Sequence, residues 1–229
     1  MYGNNEVISY LQANNILALK LDHAVSAVGH QVANQVETIG LGAKRAIYYT
    51  SCFTDEYQDI CQKNKMEDIR FKNGVIHLIQ HGDVLYEMLH IYFEEIFKSK
   101  TSDQIEHIKK MLMAVNVHIA ASSLTSAGFA LAVTSAIAIG MNLSLEMSTL
   151  IGGRFGGALA GVGVYGVVQK AADSAHRLQY IYPVYYSALY AKELEMMYFL
   201  VEPLFERAGA FKQSTSDEII ADIIKRMIR

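Results

Sequence analysis

The sequence predicts an all-α fold, a bundle of amphipathic helices around a central hydrophobic helical hairpin. Three observations predict it. Apolar residues recur at helical spacing along most of the 229 positions, there are only 2 prolines, and the stretch from Met111 to Leu145 contains no Lys, Arg, Asp or Glu. Few prolines and long intervals between turn signals favour helices over sheets. We divide the chain into N-terminal amphipathic helices over 1–100, the hairpin over 101–177, and C-terminal Tyr-rich and amphipathic helices over 178–229, all in one structural domain.

The elements follow in chain order. Asn4 or Asn5 caps a first helix whose apolar stripe runs from Val7 through Leu11, Leu19, Val25 and Val32 to Ile39, and Gly40 and Gly42 end it. Ala43 to Gln62 is mixed, and its acidic run Asp55, Glu56 and Asp59 reads as a solvated face. From Met66 to Phe97 the spacing of Ile69, Val75, Ile76, Leu85, Met88, Leu89, Tyr92, Phe93 and Ile96 predicts one or two amphipathic helices, bent near Gly82. Thr101 or Ser102 caps the helix that leads into the hairpin.

The hairpin's first helix is expected over Met111 to Gly140, roughly 45 Å at 1.5 Å per residue, against a hydrocarbon core of roughly 30 Å. A break follows at Gly140, Met141 and Asn142, and Ser148 or Thr149 caps a second helix running to Val168. Gly128, Ala132, Ala136 and Gly140 recur every four residues on the first helix, and Gly153, Gly157 and Gly161 do so on the second. Such small-residue stripes let two backbones approach closely, in lipid or inside a tightly packed protein. In Val115 to Ile139 nine residues are Leu, Ile, Val or Phe. Each contributes only about −0.3 to −0.6 kcal/mol at a membrane centre, so insertion is finely balanced against the polar side chains of the run. Lys98, Lys100, Lys109 and Lys110 before the hairpin and Lys170 and Arg177 after it keep both ends on one side of a bilayer, by the positive-inside bias.

After the hairpin comes RLQYIYPVYYSALYAKELEMMYFLVEPLF, with Tyr180, Tyr182, Tyr185, Tyr186, Tyr190 and Tyr198. It reads either as a helix at a membrane interface or as a Tyr-rich core helix. Pro183 suits the first turn of that helix, and Pro203 is expected to kink or end it. Ser214 or Ser216 caps a last helix whose apolar face is Ile219, Ile220, Ile223, Ile224, Met227 and Ile228.

Composition and motifs exclude several functions. The net charge is only −3 and no basic patch stands out, which argues against a nucleic-acid partner. The run HLIQH puts His77 and His81 four apart but lacks the Glu and further ligands of a zinc site, so we expect no metal and no cofactor. The glycine run GGRFGGALAG lacks the Lys and Ser/Thr of a phosphate-binding loop, and no nucleophile motif is present, so no catalytic residue is nominated and no enzyme is expected. Cys52 and Cys61 match no zinc pattern and are expected as reduced thiols, with a bridge permitted in an oxidising compartment. The N-terminus MYGNNEVISYLQ shows no cleavable secretory signal. Ionisable and polar groups in the apolar run are candidates for pore lining or pH sensing, namely Asn116, His118, Ser122, Ser123, Thr125 and Arg154. The alternative for His118 is a hydrogen-bonded core histidine.

The run AVNVHIAASSLTSAGFALAVTSAIAIG and the ribbon GGRFGGALAGVGVYG resemble, in organisation, bacterial pore-forming toxins of the colicin kind and glycine-zipper pore-forming effectors delivered by type VI secretion. One difference is that colicin hairpins lie near the C-terminus, whereas some sixty residues follow this one. The resemblance implies a secreted antibacterial effector that inserts its hairpin into a target inner membrane and depolarises it. It also implies a lipid bilayer as partner, a cognate immunity protein in the inner membrane, a secretion chaperone or adaptor, and action alone or as a homo-oligomer. Two alternatives stand beside it: a resident membrane protein or channel component, and a soluble all-α interaction module.

Overall fold

The computed structural model describes residues 41–229 apart from 43, 46, 54, 82–83, 116, 118, 120–124, 142–161, 212–215 and 229. Among the described residues the chain is all-α, with no strand. The α-helices are α1 (Gln58–His81), α2 (Val84–Phe97), α3 (Ser102–Met113), α4 (Ser126–Met141), α5 (Val162–Ile181), α6 (Pro183–Ala191), α7 (Glu202–Ala208) and α8 (Asp217–Ile228). Short 3-10 helices occupy Tyr49–Phe53, Asp55–Tyr57 and Glu195–Leu200.

Local chemistry explains most of these boundaries. The Thr101 hydroxyl accepts the Gln104 N–H while the Gln104 side chain accepts the Thr101 N–H, a reciprocal capping box that starts α3. Ser216 Oγ accepts the Ile219 N–H at 3.4 Å and starts α8. Pro183 stands at the first turn of α6, where its missing N–H costs nothing. Gly209, at φ 67°, closes α7 in the left-handed conformation that glycine adopts most readily.

One continuous apolar core joins α1 to α8. Helix α2 is its spine, burying Val84, Leu85, Met88, Leu89, Ile91, Tyr92, Phe93, Ile96 and Phe97. On one side α2 meets α4, which α8 covers in turn; on the other it meets α6 and the 3-10 helix Glu195–Leu200. An aromatic knot lies at the centre: Phe205 stacks on Tyr185 at 5.7 Å and meets Tyr92 edge-on at 4.8 Å. Burial obliges the phenol hydroxyls to find partners, and Tyr92 donates to the Ala210 carbonyl and Tyr185 to the Met88 carbonyl, at 2.8 and 2.9 Å. Helix α1 comes so close to the 3-10 helix that a Cβ on Gly74 would lie 2.9 Å from Met197 Cγ.

Several sequence expectations are corrected. The span Met111 to Gly140 is not one helix: α3 stops at Met113, where Val117 N–H reaches back to the Leu112 carbonyl, and α4 starts afresh at Ser126. Gly42 does not end a helix, because Leu41, Gly42, Lys44, Arg45, Ile47 and Tyr48 are helical and lead into Tyr49–Phe53. Helix α1 starts at Gln58, and it buries Cys61, Asn64, Phe71 and Leu78, leaving Ile69 and Ile76 exposed on the opposite side. The Tyr-rich stretch is broken at Tyr182 and again after Ala191, and Pro203 opens α7 instead of ending a helix. Cys52 and Cys61 are joined in a disulfide, with Cα atoms 4.9 Å apart. The first expected helix, over Asn4 to Ile39, lies outside the described residues.

Candidate functional site

Helix α4 is the longest described stretch of the charge-free run, and its sequence SAGFALAVTSAIAIGM explains how it persists without a charge. Thr125 Oγ1 accepts the Gly128 N–H at 3.2 Å and its carbonyl accepts the Phe129 N–H at 2.9 Å, capping the first turn. Thr134 and Ser135 donate to the carbonyls of Ala130 and Leu131, at 2.8 and 2.9 Å. With their protons bound inside the helix itself, both hydroxyls tolerate apolar surroundings, whether protein or lipid.

Packing divides the surface of α4 unequally. Phe129, Ala130, Val133, Thr134 and Ile137 are fully buried against the sheath, with Phe129 edge-on to Phe97 at 4.9 Å. The other side carries Leu131 and Ile139, 49% and 80% exposed. Ser135 lies between them, in a hydrogen bond with Tyr86 at 2.9 Å. Gly128, Ala132 and Ala136 are half-buried at the margin of the packed face. The sheath itself is amphipathic: α8 buries Ile220, Ala221, Ile223, Ile224 and Met227, while Lys225 and Asp222 pair at 3.0 Å on its wet side. Helix α3 buries Ile105, Ile108 and Leu112, and Lys100 just before it meets Asp217 of α8 at 2.9 Å.

Helix α5 continues from the glycine-rich ribbon into the polar part of the molecule, where a clamp holds it. Arg45 is completely buried and donates to Asp68 Oδ1 from Nε and Nη2 (2.9 and 2.6 Å), to Glu67 Oε2 (3.0 Å), to the Asn64 carbonyl (3.0 Å) and to Gln169 Oε1 of α5 (3.3 Å). Tyr49 donates to the other Asp68 oxygen. Gln169 in turn donates to Asp173 at 2.7 Å, Lys44 pairs with Asp173 at 3.6 Å, and His176 meets Glu67 at 3.0 Å. Burial opposes the charge on Arg45, yet the neighbouring Asp68 and Glu67 carboxylates outweigh it and raise the guanidinium above its ordinary value. Burial raises the Asp68 carboxyl in spite of Arg45 and Tyr49. For Glu67 the same burial is overcome by the hydrogen bond from His176 and by Arg45, and its pKa falls.

The residues nominated from sequence divide accordingly. Thr125 caps α4 and is exposed, Gly128, Ala132 and Ala136 line its margin, and Gly140 lies in its last turn. Gly153, Gly157, Gly161, Asn116, His118, Ser122, Ser123 and Arg154 lie outside the described residues. Tyr185 and Tyr198 are core side chains, whereas Tyr180 is 91% exposed. His77 meets Glu87 at 3.1 Å. Sequence reasoning missed the clamp, whose only local signal is the basic pair Lys44 and Arg45 between Ala43 and Ala46. Among the described residues no helix is long and apolar enough to cross a membrane. No protein-family model matches the chain, and no curated protein or solved structure matches it.

Proposed function

We propose that this chain is a secreted antibacterial effector that carries a charge-free helical element inside an amphipathic sheath and releases it into a target inner membrane, which it depolarises. One observation carries the reading: α4 has no charged residue, binds its own hydroxyl protons, and shows apolar side chains on its exposed side as well as its packed one. A helix apolar on both its packed and its exposed sides is suited to a core or to lipid, and the fold leaves Leu131 and Ile139 unburied, 49% and 80% exposed.

Geometry limits the form of insertion. The 16 residues of α4 span about 24 Å, short of a hydrocarbon core of about 30 Å, so crossing requires more of the charge-free run than α4 alone. A disulfide suits action in an oxidising compartment such as the periplasm. An immunity protein in the producer's inner membrane, a secretion chaperone or adaptor, and a pore built from several copies belong to the same proposal.

The second reading is a soluble all-α interaction module, favoured by the continuous core that joins α4 to α2 and α8. Vesicles loaded with potassium and a potential-sensitive dye separate the two. Micromolar protein is expected to collapse the gradient; intact gradients at acidic and neutral pH alike would favour the soluble module.

A further inference from the structure

The Arg45 clamp and the Cys52–Cys61 bridge belong to one device. Arg45 and Tyr49 both bond Asp68 of α1, Arg45 also reaches the Asn64 carbonyl, and Cys52, further along the same segment, is joined to Cys61, nearer the start of α1. Asp68, Asn64 and Cys61 lie along one stripe of α1, and contact passes from Asp68 at Arg45 to Cys61 at Cys52, so the segment is laid antiparallel on α1. The disulfide closes the near end, beside a Gln58 Nε2 to Cys52 carbonyl bond of 3.2 Å. Arg45 seals the far end against Asp68, Glu67 and the Asn64 carbonyl, and from there reaches Gln169 of α5.

We infer that the Cys52–Cys61 bridge is a redox lock on this clamp, open in a reducing compartment and closed by oxidation after export, when it fixes Arg45 on α1 and through it the grip on α5. Two thiols give up two protons and two electrons as the Sγ–Sγ bond forms. The electrons reduce the disulfide of an exchange partner, either an oxidising dithiol protein or glutathione disulfide, through a mixed disulfide. Cys52 is the half-exposed member and the point of entry for that partner, because Cys61 is buried. Without the bridge the segment from Lys44 to Phe53 is held on α1 by the bonds of Arg45 and Tyr49 alone, and closing so short a loop favours the docked state by a factor on the order of 100 in the chain-entropy account. The lock itself does not rest on the membrane reading, which supplies only a reason for holding α5.

Coupling of this kind is reciprocal, so weakening the clamp must make the bridge easier to reduce. The full-length protein is equilibrated in glutathione buffers of graded redox ratio, and thiols are trapped by alkylation. Arg45→Met is expected to shift the equilibrium towards dithiol about tenfold or more relative to wild type, and Tyr49→Phe, which deletes a single bond to Asp68, by a smaller factor in the same direction. Tyr49→Phe keeps the test decisive if Arg45→Met does not fold. In parallel, reduced and oxidised wild type are compared by hydrogen exchange. Opening the bridge is expected to speed exchange about tenfold in the segment from Lys44 to Phe53 and around Gln169 to His176, with α3 and α8 unchanged. Equal redox midpoints for wild type and both folded variants, or exchange in α5 unmoved by reduction, would overturn the inference. Neither measurement involves a membrane, so its outcome is separate from that of the vesicle experiment.

Discussion

Replacing Arg45 by methionine tests how far the clamp holds the polar half of the molecule together. The guanidinium is completely buried and makes five hydrogen bonds, three of them to carboxylate oxygens. Removing one member of a buried ion pair costs about 3–5 kcal/mol, because the remaining charge is left without compensation. The side chains of Glu67 and Asp68 retain 12% and 26% of their exposure, so water takes up part of the lost interaction and the lower end, about 3 kcal/mol, applies. With a urea dependence of about 2–3 kcal/mol per molar, the unfolding midpoint followed by far-ultraviolet circular dichroism falls by roughly 1 M. Combining Arg45→Met with Asp68→Asn removes the carboxylate that takes two of the three carboxylate bonds, leaving Glu67 with His176. The double variant is expected to be more stable than the sum of its parts by about 1–3 kcal/mol. A midpoint loss below about 0.3 M, or additivity within about 0.5 kcal/mol, would refute the reasoning.

Further predictions concern the sheath, the aromatic knot and α4 itself. Ile224→Ala on α8 deletes a fully buried side chain and is expected to cost about 2–5 kcal/mol in the same urea assay. Burial raises the phenols of Tyr49, Tyr92, Tyr165, Tyr185 and Tyr198 above their ordinary value near 10. Raised folded-state values mean that their contribution to stability is complete below pH about 10 and is lost as pH rises through the folded values. Their tyrosinate absorbance should therefore rise only together with loss of helical dichroism, and smooth titration of all 14 tyrosines near pH 10 with helix retained would contradict their burial. Leu131→Lys places a charge on the exposed side of α4, where folding should change by less than about 1 kcal/mol. In lipid the same ammonium costs about 2.5–3.5 kcal/mol near a membrane centre, so vesicle depolarisation should fall on the order of 100-fold. Equal leakage from wild type and variant would disconnect α4 from the membrane.

The sequence made local features legible and distant ones illegible. Of the alternatives Thr101 or Ser102 for α3 and Ser214 or Ser216 for α8, Thr101 and Ser216 are the caps, and the apolar spacing of Ile220, Ile223, Ile224 and Met227 marked the buried face of α8, because caps and helical periodicity are local properties. The break between Met113 and Ser126 was missed because the absence of charge reads as one continuous helix, although the stretch carries Asn116, Ser122, Ser123 and the capping Thr125; α3 ends there through backbone bonds such as Val117 to Leu112. The clamp was beyond reach for another reason. Arg45 meets Asp68 across 23 positions and Gln169 across 124, and a single sequence contains no signal for which charges meet at such separations. The half-exposed state of Gly128, Ala132 and Ala136 is equally nonlocal, because it depends on where α2 and α8 approach α4.

The most direct test of the membrane reading is made in living bacteria. The chain is directed to the periplasm of a sensitive strain, and inner-membrane potential is followed with a voltage-sensitive dye alongside a large impermeant dye that reports lysis. The account predicts rapid loss of potential while the large dye stays out, with Leu131→Lys at the same expression level acting far more slowly. An undisturbed potential at a confirmed periplasmic concentration of folded protein would contradict it, and would leave α4 as a helix packed permanently on α2 and α8.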